Sequence, residues 1–571
     1  MGTLPPNPQD LGLPAKFHSW RPGQYEAVAT ALDALNSPAR KFVAINAPTG
    51  AGKSGIAAAL SNARGGRTVV CTSTKPLQRQ YLDDFASTGM VDIRGRANYA
   101  CRLGNGTSCE DGYEEGCPDA GFAQCPYRAA LCLACQSATV VTNYAYWAAV
   151  HRYAEGLGST SLLVCDEAHT AFDEVCGAMS LEFWERDIVF LLGGRLPAHD
   201  LGLEGWKGWA GDMRLRASLA LTDAEKLAKL RKEPALFRRA RKIKALSRSL
   251  SDLAAAKGEW VFQRSRLNQS ELWHADPVWA APYAAPVLFD HAAKTLLISA
   301  TVTRRTMSLL GLEPDQYEYL EMPSQFPPAS SPVYYIPTAA MRQGMSHAEE
   351  LAMYARVDEI ITAMGPRKGI VHTVSYARAE QTASASCHAG IMILHERGGA
   401  GVQAGIEAFR AAEGPSVLVS PALTMGFDFA GESCEYQILV KLPFPDSTNH
   451  ITRARTASGL VRPRTEEDRR LKQLGTDYLD HAVSQILIQA CGRGMRSASD
   501  RCMTFILDDN WRWWRWRAER GGCFPWWFRR LLKMSRTVPP PLPRVSDTVV
   551  GDTVVGDTVV GDTVKRGAGY L

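Results

Sequence analysis

Short apolar runs rich in β-branched residues alternate with longer helical patterns along most of the chain. Runs that are apolar on both faces and separated by helices are typical of a buried parallel sheet. The first set comprises residues 41–46, 67–74, 138–143, 161–165 and 294–299, and the second comprises residues 369–373, 390–394, 416–420, 436–440 and 502–507. The pattern therefore predicts two α/β domains in tandem.

Two segments interrupt the first predicted α/β domain. Residues 101–135 carry six of the fourteen cysteines, and residues 171–289 have a mainly helical pattern. Within the second segment, Thr222-Asp-Ala-Glu225 matches a capping box and predicts the start of a basic helix. That helix is either a solvated face or an electrostatic wall for phosphates. We expect the first domain to span residues 1–100, 136–170 and 290–325, and the second to span residues 326–535.

Residues 536–571 differ in composition from the rest of the chain. A proline-rich stop at 538–543 precedes three copies of DTVVG and a final DTV. Three pentads bury too little surface to form a solenoid, so the sequence predicts a disordered repeat tail.

Composition narrows the class of protein without naming a function. The 571 residues are 46% hydrophobic and 22% charged, with a net charge of +5, which is typical of a globular protein and permits a nucleic-acid partner. With neither an export signal nor a run of about 20 apolar residues, we expect a cytoplasmic protein that does not enter a membrane. Its arginine- and alanine-rich usage favours a bacterial or phage origin. In a reducing compartment, clustered cysteines indicate a metal site rather than disulfides.

A phosphate-binding loop follows the first predicted strand. Ala47-Pro-Thr-Gly-Ala-Gly-Lys-Ser54 stands between that strand and a helical pattern, which is the context the motif requires. Lys53 is expected to reach the β and γ phosphates of ATP, and Ser54 to ligate Mg²⁺. The predicted nucleotide-binding residues are Thr49, Gly50, Ala51, Gly52, Lys53 and Ser54.

Two adjacent carboxylates end a later predicted strand. In Leu162-Leu-Val-Cys-Asp-Glu-Ala-His169, Asp166 is placed to hold Mg²⁺ and Glu167 to polarise the attacking water. In the second domain, Ser484–Arg496 brings Gln489, Arg493 and Arg496 to helical spacing, and a guanidinium there could neutralise charge on the transferring phosphoryl group. Together these motifs predict ATP bound in a cleft between the two domains.

The order of these motifs resembles the superfamily 2 helicases, and within them the XPD/DinG-like group of iron–sulfur DNA helicases. Gln24, in Arg21-Pro-Gly-Gln24, is similar to the adenine-reading glutamine of the group. Further similar segments are residues 72–78, 94–101, 125–127, 299–301, 424–429 and 440–445.

The resemblance implies two tandem RecA-like parallel-sheet motor domains, the first interrupted by an iron–sulfur cluster domain at 101–135 and a helical arch domain at 171–289. It implies an ATP-dependent DNA helicase that moves 5′→3′ on single-stranded DNA and separates forked duplexes. We expect this helicase to act as a monomer. The alternatives are an ATP-gated remodeller or translocase that does not separate strands, and a helicase that acts on RNA.

The resemblance also implies a 4Fe-4S cluster held by four thiolates. Cys101, Cys109, Cys117 and Cys125 are separated by equal intervals and are the expected ligands. Cys132 and Cys135 leave three alternatives open: small core residues of a helix, replacement of one cluster ligand by Cys132, or zinc bound across the whole stretch.

Interleaved tryptophan and arginine residues stand near the end of the second domain, at 511–517 and 524–530. They could stack bases and hold phosphates. Alternatively they pack as a closing helix on the second domain, with the arginines extending to solvent, which is the interpretation that the pattern favours.

Overall fold

The computed structural model describes residues 4–102, 107–114, 125–231, 233–267, 269–342, 344–421, 429, 431–457, 462–497, 499–544 and 565–566. Three parts of the sequence analysis lie outside the described residues: Cys117, residues 424–428 of the predicted motif at 424–429, and all of the DTVVG repeats.

The described chain forms parallel sheets flanked by helices, as the sequence predicts. In chain order, the strands are β1 (Phe42–Asn46), β2 (Thr68–Thr72), β3 (Val91–Asp92), β4 (Thr139–Asn143), β5 (Thr160–Asp166), β6 (Leu181–Trp184), β7 (Trp260–Leu267), β8 (Ser270–Pro277), β9 (Ala292–Ser299), β10 (Tyr317–Glu321), β11 (Val333–Ala339), β12 (Gly369–His372), β13 (Met392–Ile393), β14 (Val417–Ser420), β15 (Tyr436–Leu439), β16 (Met503–Asp508), β17 (Leu532–Met534) and β18 (Lys565–Arg566).

The helices connect these strands and form most of the second insertion. In chain order, they are α1 (Gln24–Asn36), α2 (Lys53–Arg64), α3 (Lys75–Phe85), α4 (Cys109–Glu114), α5 (Pro126–Gln136), α6 (Tyr144–Tyr153), α7 (Ala171–Met179), α8 (Glu185–Leu192), α9 (Gly202–Arg231), α10 (Pro234–Ala254), α11 (Ala281–Ala284), α12 (Arg304–Leu309), α13 (His347–Met364), α14 (Tyr376–Ala385), α15 (Gly399–Ala411), α16 (His450–Thr456), α17 (Glu466–Cys491), α18 (Trp511–Arg520) and α19 (Trp526–Arg529).

The first sheet has the order β18-β10-β1-β9-β5-β2-β4-β3, and all of its pairings are parallel except that of β10 with β18. Residues of β1 and β2 are fully buried because helices cover both faces. β9 lies between β1 and β5, so the carboxyl ends of these three strands are neighbours at one edge. That edge is where parallel α/β sheets bind ligands.

The second sheet has the order β13-β14-β12-β15-β16-β11-β17, and every described pairing is parallel. α17, which leads to its predicted phosphate-facing arginines, begins at a capping box in which Thr465 and Asp468 exchange hydrogen bonds. The two RecA-like domains that the resemblance implied are confirmed.

The second insertion is smaller than the sequence indicated and is not entirely helical. α9 and α10 pack side by side on a three-stranded antiparallel sheet of order β6-β8-β7. Its core contains Trp206, whose ring stacks on Phe262 with the centroids 4.9 Å apart. α7 and residues 280–289 instead belong to the core of the first motor domain. The inserted domain therefore corresponds to about residues 180–277, not 171–289.

The predicted helix start at Thr222 is wrong. α9 runs without a break from Gly202 to Arg231, and the Thr222 hydroxyl donates to the Ser218 carbonyl one turn earlier. The helix continues because Ala217 and Ala224 lie on one buried face that packs into the core of the insertion. A capping sequence in mid-helix is thus overridden by packing.

The second motor domain extends beyond the predicted boundary at residue 535. Val538 and Leu542 pack against its core, and Arg544 forms an ion pair with the buried carboxylate of Glu435 at 2.6 Å. The part of the predicted tail up to residue 544 is therefore ordered against this domain. Across the described residues, no helix combines the length and the apolar character that a membrane crossing requires.

Candidate functional site

The predicted phosphate loop leaves the end of β1 and turns into α2. Gly50 and Gly52 have φ values of +83° and +74°, in the left-handed region that glycine adopts at little cost. Lys53 is the first residue of α2, so its amide and those of the next residues point out of the helix start. The sequence prediction of strand, glycine loop and helix is confirmed, and the loop has the shape that surrounds phosphate oxygens.

Both predicted acids stand beside this loop. Asp166 ends β5, and Glu167 follows it with φ of +49°, a conformation that turns its side chain toward α2. The Lys53 Nζ atom lies 3.1 Å from Glu167 Oε1. The structure therefore brings together the loop lysine and the two carboxylates that the sequence assigned to one site.

The electrostatics of the acids differ although they are adjacent. Burial, together with the charge of Glu167, raises the pKa of Asp166 to about 6, while Lys53 opposes the rise. Burial would also raise the pKa of Glu167, but Lys53 and His169 outweigh it and hold that pKa below its usual range. Glu167 is thus kept ionised, which a group that polarises water requires. Asp166 and the Ser54 hydroxyl supply oxygen atoms, the donor type that Mg²⁺ prefers.

A chain of hydrogen bonds joins the second motor domain to Glu167. Gln489 Nε2 donates to His169 Nε2 at 2.6 Å, so His169 carries its proton on Nδ1, which is 2.7 Å from Ser299 Oγ. Ser299 Oγ in turn donates to Glu167 Oε2 at 3.1 Å. His169 and Ser299 were not among the predicted site residues. The sequence could have indicated both residues, because His169 ends the Asp-Glu-Ala-His motif and Ser299 begins the Ser-Ala-Thr motif.

The two predicted arginines are not on the helix face that their spacing indicated. α17 ends at Cys491, and both follow it in a turn that contains Gly492 and Gly494. A side chain at Gly494 would lie 2.5 Å from the Cys502 sulfur, which explains the glycine. The prediction of one continuous helix through Arg496 is therefore wrong.

The arginines also face different neighbours. The charge of Arg496 opposes the rise in the pKa of Lys53, and the charge of Glu167 opposes the fall in pKa that burial causes at Arg496. The Arg496 guanidinium therefore lies across the cleft from the phosphate loop. Arg493 is 9% exposed and lies near His372 within the second motor domain. Burial lowers the pKa of Arg493 to about 10. Arg496 is accordingly the better placed of the two to face a transferring phosphoryl group.

Gln24 lies against the phosphate loop. Its side chain is buried, donates to the Ala51 carbonyl at 2.7 Å, and accepts a hydrogen bond from the Arg21 backbone amide at 2.8 Å. The Arg21 guanidinium donates to the Gly50 carbonyl. In this structure the predicted adenine-reading residues therefore hold the loop backbone.

Further contacts close the cleft between the motor domains. Gly492 approaches Thr49 so closely that a Cβ atom there would lie 3.2 Å from the threonine hydroxyl. Trp527 Nε1, near the chain end, donates to Asn46 Oδ1 at 2.8 Å, directly before the phosphate loop. The two faces of the predicted ATP site are thus already opposed.

Two of the four predicted cluster ligands are in contact, and a third lies against the same helix. The Cys109 thiol contacts that of Cys125, and burial, followed by the influence of Cys125, raises the pKa of Cys109. Cys101 lies against Gly112, one turn further along α4, where any side chain would collide with its sulfur. Several thiols collected on a short segment fit a soft metal cluster. Cys132 and Cys135 are on α5, as a helix was predicted, but both are exposed rather than small core residues.

The cysteine segment meets the second insertion through stacked arginines. The guanidinium of Arg96 lies 4.2 Å from the ring centroid of Tyr113 on α4, and that of Arg241 on α10 lies 3.8 Å from the same ring. Arg96 also lies 4.5 Å from the ring of Tyr127. Two insertions that are separate in sequence therefore join above the first motor domain.

Comparisons with known proteins agree with this geometry. Residues 17–190 match the family model of the type III restriction enzyme res subunit, and residues 359–525 match that of the helicase C-terminal domain. No curated protein matches the chain. A solved XPD helicase is 14% identical and has a TM-score of 0.53, with 90% of this chain and 99% of that chain covered. Xpd4 of S. tokodaii is 13% identical and has a TM-score of 0.55, with the same coverage.

The fold and the two-sided site define a helicase-type ATPase with two motor domains. The two family matches and the motifs confirm the predicted resemblance to the superfamily 2 helicases, and the fold shared with the XPD structures agrees with the XPD/DinG-like group. Helicases of this kind bind and hydrolyse ATP with Mg²⁺.

Proposed function

We propose that this protein is a DNA helicase that moves 5′→3′ on single-stranded DNA and separates the strands of forked duplexes. The proposal combines an ATP site closed by both motor domains with two insertions that meet above the first. The single observation that carries it is the relay from Gln489 through His169 and Ser299 to Glu167. Through this relay, a residue of the second domain is connected by hydrogen bonds to Glu167, the group that would polarise the attacking water.

Residue roles follow from this geometry. Lys53 and the loop amides bind the phosphates, Ser54 and Asp166 hold Mg²⁺, and Glu167 polarises water. Arg496 faces the γ phosphate from the second domain, while Arg493 supports the turn that carries it. Because Gln489 reaches the site only when the domains are opposed, hydrolysis and domain separation become linked.

The insertions supply the nucleic-acid specificity in this proposal. Stacked arginines join the cysteine segment to α10, and α10 carries further exposed cations at Arg238, Arg239 and Lys242. A passage bounded by both insertions and the first domain would enclose one strand and exclude its complement. Cations along such a passage would contact phosphates without reading sequence.

Cys101, Cys109 and Cys125 would hold a 4Fe-4S cluster together with Cys117. Such a cluster would cross-link a segment that has few apolar side chains of its own. Because Cys109 begins α4, a cluster bound there would hold this helix, and with it Tyr113, against Arg241.

A strand-displacement assay tests the proposed function. The full-length protein is incubated with ATP and Mg²⁺ on duplexes that carry a 5′ tail, a 3′ tail or no tail, made of DNA or of RNA. We expect displacement from the 5′-tailed DNA alone. ATP hydrolysis stimulated by single strands without displacement would instead favour a remodeller or translocase, and displacement from RNA would overturn the substrate assignment.

A further inference from the structure

α18 divides its tryptophans between the protein core and the surface. Trp511 and Trp514 are 2% and 0% exposed and belong to the core of the second motor domain. Trp513 and Trp516 are 50% and 65% exposed. The sequence allowed two interpretations of these tryptophans, packing against the second domain and stacking on bases. The buried face of the helix fits the packing interpretation, whereas folding does not explain why the other face exposes two tryptophans.

The exposed face of α18 also carries arginines. Arg512 and Arg520 are exposed beside the two tryptophans, at positions that helical spacing places on the same side. The guanidinium of Arg520 lies 5.0 Å from the Trp516 ring centroid. The one acidic residue of the helix, Glu519, is engaged by Arg515 at 3.0 Å. The face is accordingly aromatic and basic.

A neighbouring aromatic ring extends this surface. Phe444, which follows β15, stacks on Trp513 with the ring planes 15° apart and the centroids 6.2 Å apart. Arg517 lies 4.9 Å from the same tryptophan ring and is anchored by the Asp480 carboxylate on α17. Phe444 and Arg517 therefore restrict the orientation of the Trp513 ring, whereas most of the Trp516 side chain is open to solvent.

We propose that Trp513 and Trp516, with Arg512 and Arg520, form a stacking surface for single-stranded nucleic acid on the second motor domain. Unpaired bases present π faces that stack on tryptophan, and the phosphates between them pair with arginine. A duplex hides its bases, and an apolar protein partner would not need the arginines. The inference goes beyond the proposed function, because binding here requires neither ATP hydrolysis nor strand separation.

Direct binding to the full-length protein without nucleotide tests this surface. The probe is a single-stranded oligodeoxythymidylate that contains 2-aminopurine, whose fluorescence falls when the base stacks on an aromatic ring. We compare wild type with Trp516→Leu and with the double variant Trp513→Leu/Trp516→Leu, because leucine keeps apolar area but removes the π face. Trp516→Tyr is the conservative variant, and Leu351→Ala, at an exposed position on α13, is the control.

We expect the double leucine variant to bind at least about tenfold more weakly and to lose the fluorescence change, because both aromatic rings that stack on bases are removed. Trp516→Tyr and Leu351→Ala should bind as wild type does. Arg512→Gln/Arg520→Gln should flatten the slope of log affinity against log salt by about 1.4, because about 0.7 is expected for each phosphate contact on a single strand. Basal ATP hydrolysis should not change in any of these variants.

Three results would overturn the proposal. Unchanged affinity and fluorescence in the double leucine variant would show that the strand does not contact this face. An equal loss of affinity for blunt duplex would show that bases are not being stacked. Wild-type binding by Trp516→Leu, where the ring has few contacts to lose, would show that only apolar area matters and would favour a protein partner. None of these results depends on whether the protein unwinds DNA.

Discussion

At the scale of single residues, Lys53 is the group on which phosphate binding depends. Burial lowers the pKa of Lys53, but Glu167 and Asp166 outweigh burial and keep it above its ordinary value, so the ammonium remains charged inside the cleft. No other described lysine reaches the two acids in this way. An incoming triphosphate would replace one carboxylate contact of the lysine with phosphate oxygens.

Replacement of this lysine should abolish turnover. We expect Lys53→Ala to reduce ATP hydrolysis by about a hundredfold or more, because one charged contact to the transferring group is lost. Lys41→Ala is the matched control, since Lys41 lies on the surface of the same domain and pairs with Asp290 at 3.5 Å. Measurement of phosphate release with and without single-stranded DNA checks both variants. Wild-type rates in Lys53→Ala would refute the site.

The hydrogen-bond relay from Gln489 to Glu167 leads to a second prediction about a single residue. We expect Gln489→Ala to lower the DNA-stimulated rate of ATP hydrolysis roughly tenfold with little change in ATP affinity, because one hydrogen bond between the domains is lost.

The matched control for this variant is one turn earlier on α17. Gln485 donates to His481 of the same helix at 2.7 Å, and among the described residues no hydrogen bond joins it to His169. Gln485→Ala should therefore leave stimulation intact. Steady-state kinetics at saturating DNA distinguishes the two variants, and equal stimulation in both would exclude the relay as the link between the domains.

At the scale of elements, the predicted strands were correct because each buries a β-branched run that a parallel sheet requires. β5 and β9 end in Asp166 and Ser299 as the motifs indicated. The prediction of a helix through Arg496 was wrong because it extended the helical spacing across Gly492 and Gly494, where the chain turns. Local pattern thus located the strands but not the end of α17.

Contacts between distant segments were beyond the reach of local pattern. Gln489 and His169 are 320 positions apart, and neither residue alone indicates its partner. The exposed face of α18 is a different case. Helical spacing of Trp513 and Trp516 could have separated them from the buried pair, but only the packing of α18 shows which face is inward.

One buried histidine gives the second sheet a pH-dependent stability. His372 ends β12 and its Nε2 lies 3.0 Å from Gln437 Oε1 on β15. Burial, reinforced by Arg493, lowers the pKa of His372 to about 4 from 6.5. As pH falls below about 6.5 the unfolded chain gains a proton that the folded chain does not accept until about pH 4, so acid favours unfolding.

We expect the free energy of unfolding to fall by about 2 kcal/mol through His372 between pH 7.5 and pH 5. His372→Gln keeps a donor toward Gln437 but cannot take up this proton, so it should flatten the pH dependence. His347→Gln, at an exposed position at the start of α13, is the control. Denaturant unfolding at the two pH values measures the difference, and identical slopes for wild type and His372→Gln would contradict the assignment.

At the scale of the whole molecule, two insertions of the first motor domain meet each other. Tyr113 on α4 lies between the guanidinium groups of Arg96 and Arg241. Cys109 opens the same helix, so whatever holds the cysteines also positions the tyrosine. The ATP cleft is formed by other parts of the motor domains, at the carboxyl edge of the first sheet and the turn after α17.

If the proposed cluster and helicase activity are present, this separation predicts that loss of a proposed cluster ligand affects strand separation more than ATP hydrolysis. Cys109→Ser should remove the visible absorption, iron and sulfide of the protein, because a buried ligand beside Cys125 is lost. With α4 no longer anchored, Tyr113 and Arg241 part, and strand displacement should fall several-fold further than ATP hydrolysis. Cys132→Ser, an exposed cysteine on α5, is the control and should retain colour and activity. Loss of iron in Cys132→Ser but not in Cys109→Ser would transfer the ligand role to Cys132, and equal loss of ATP hydrolysis and displacement would show that the cysteine segment supports the motor itself.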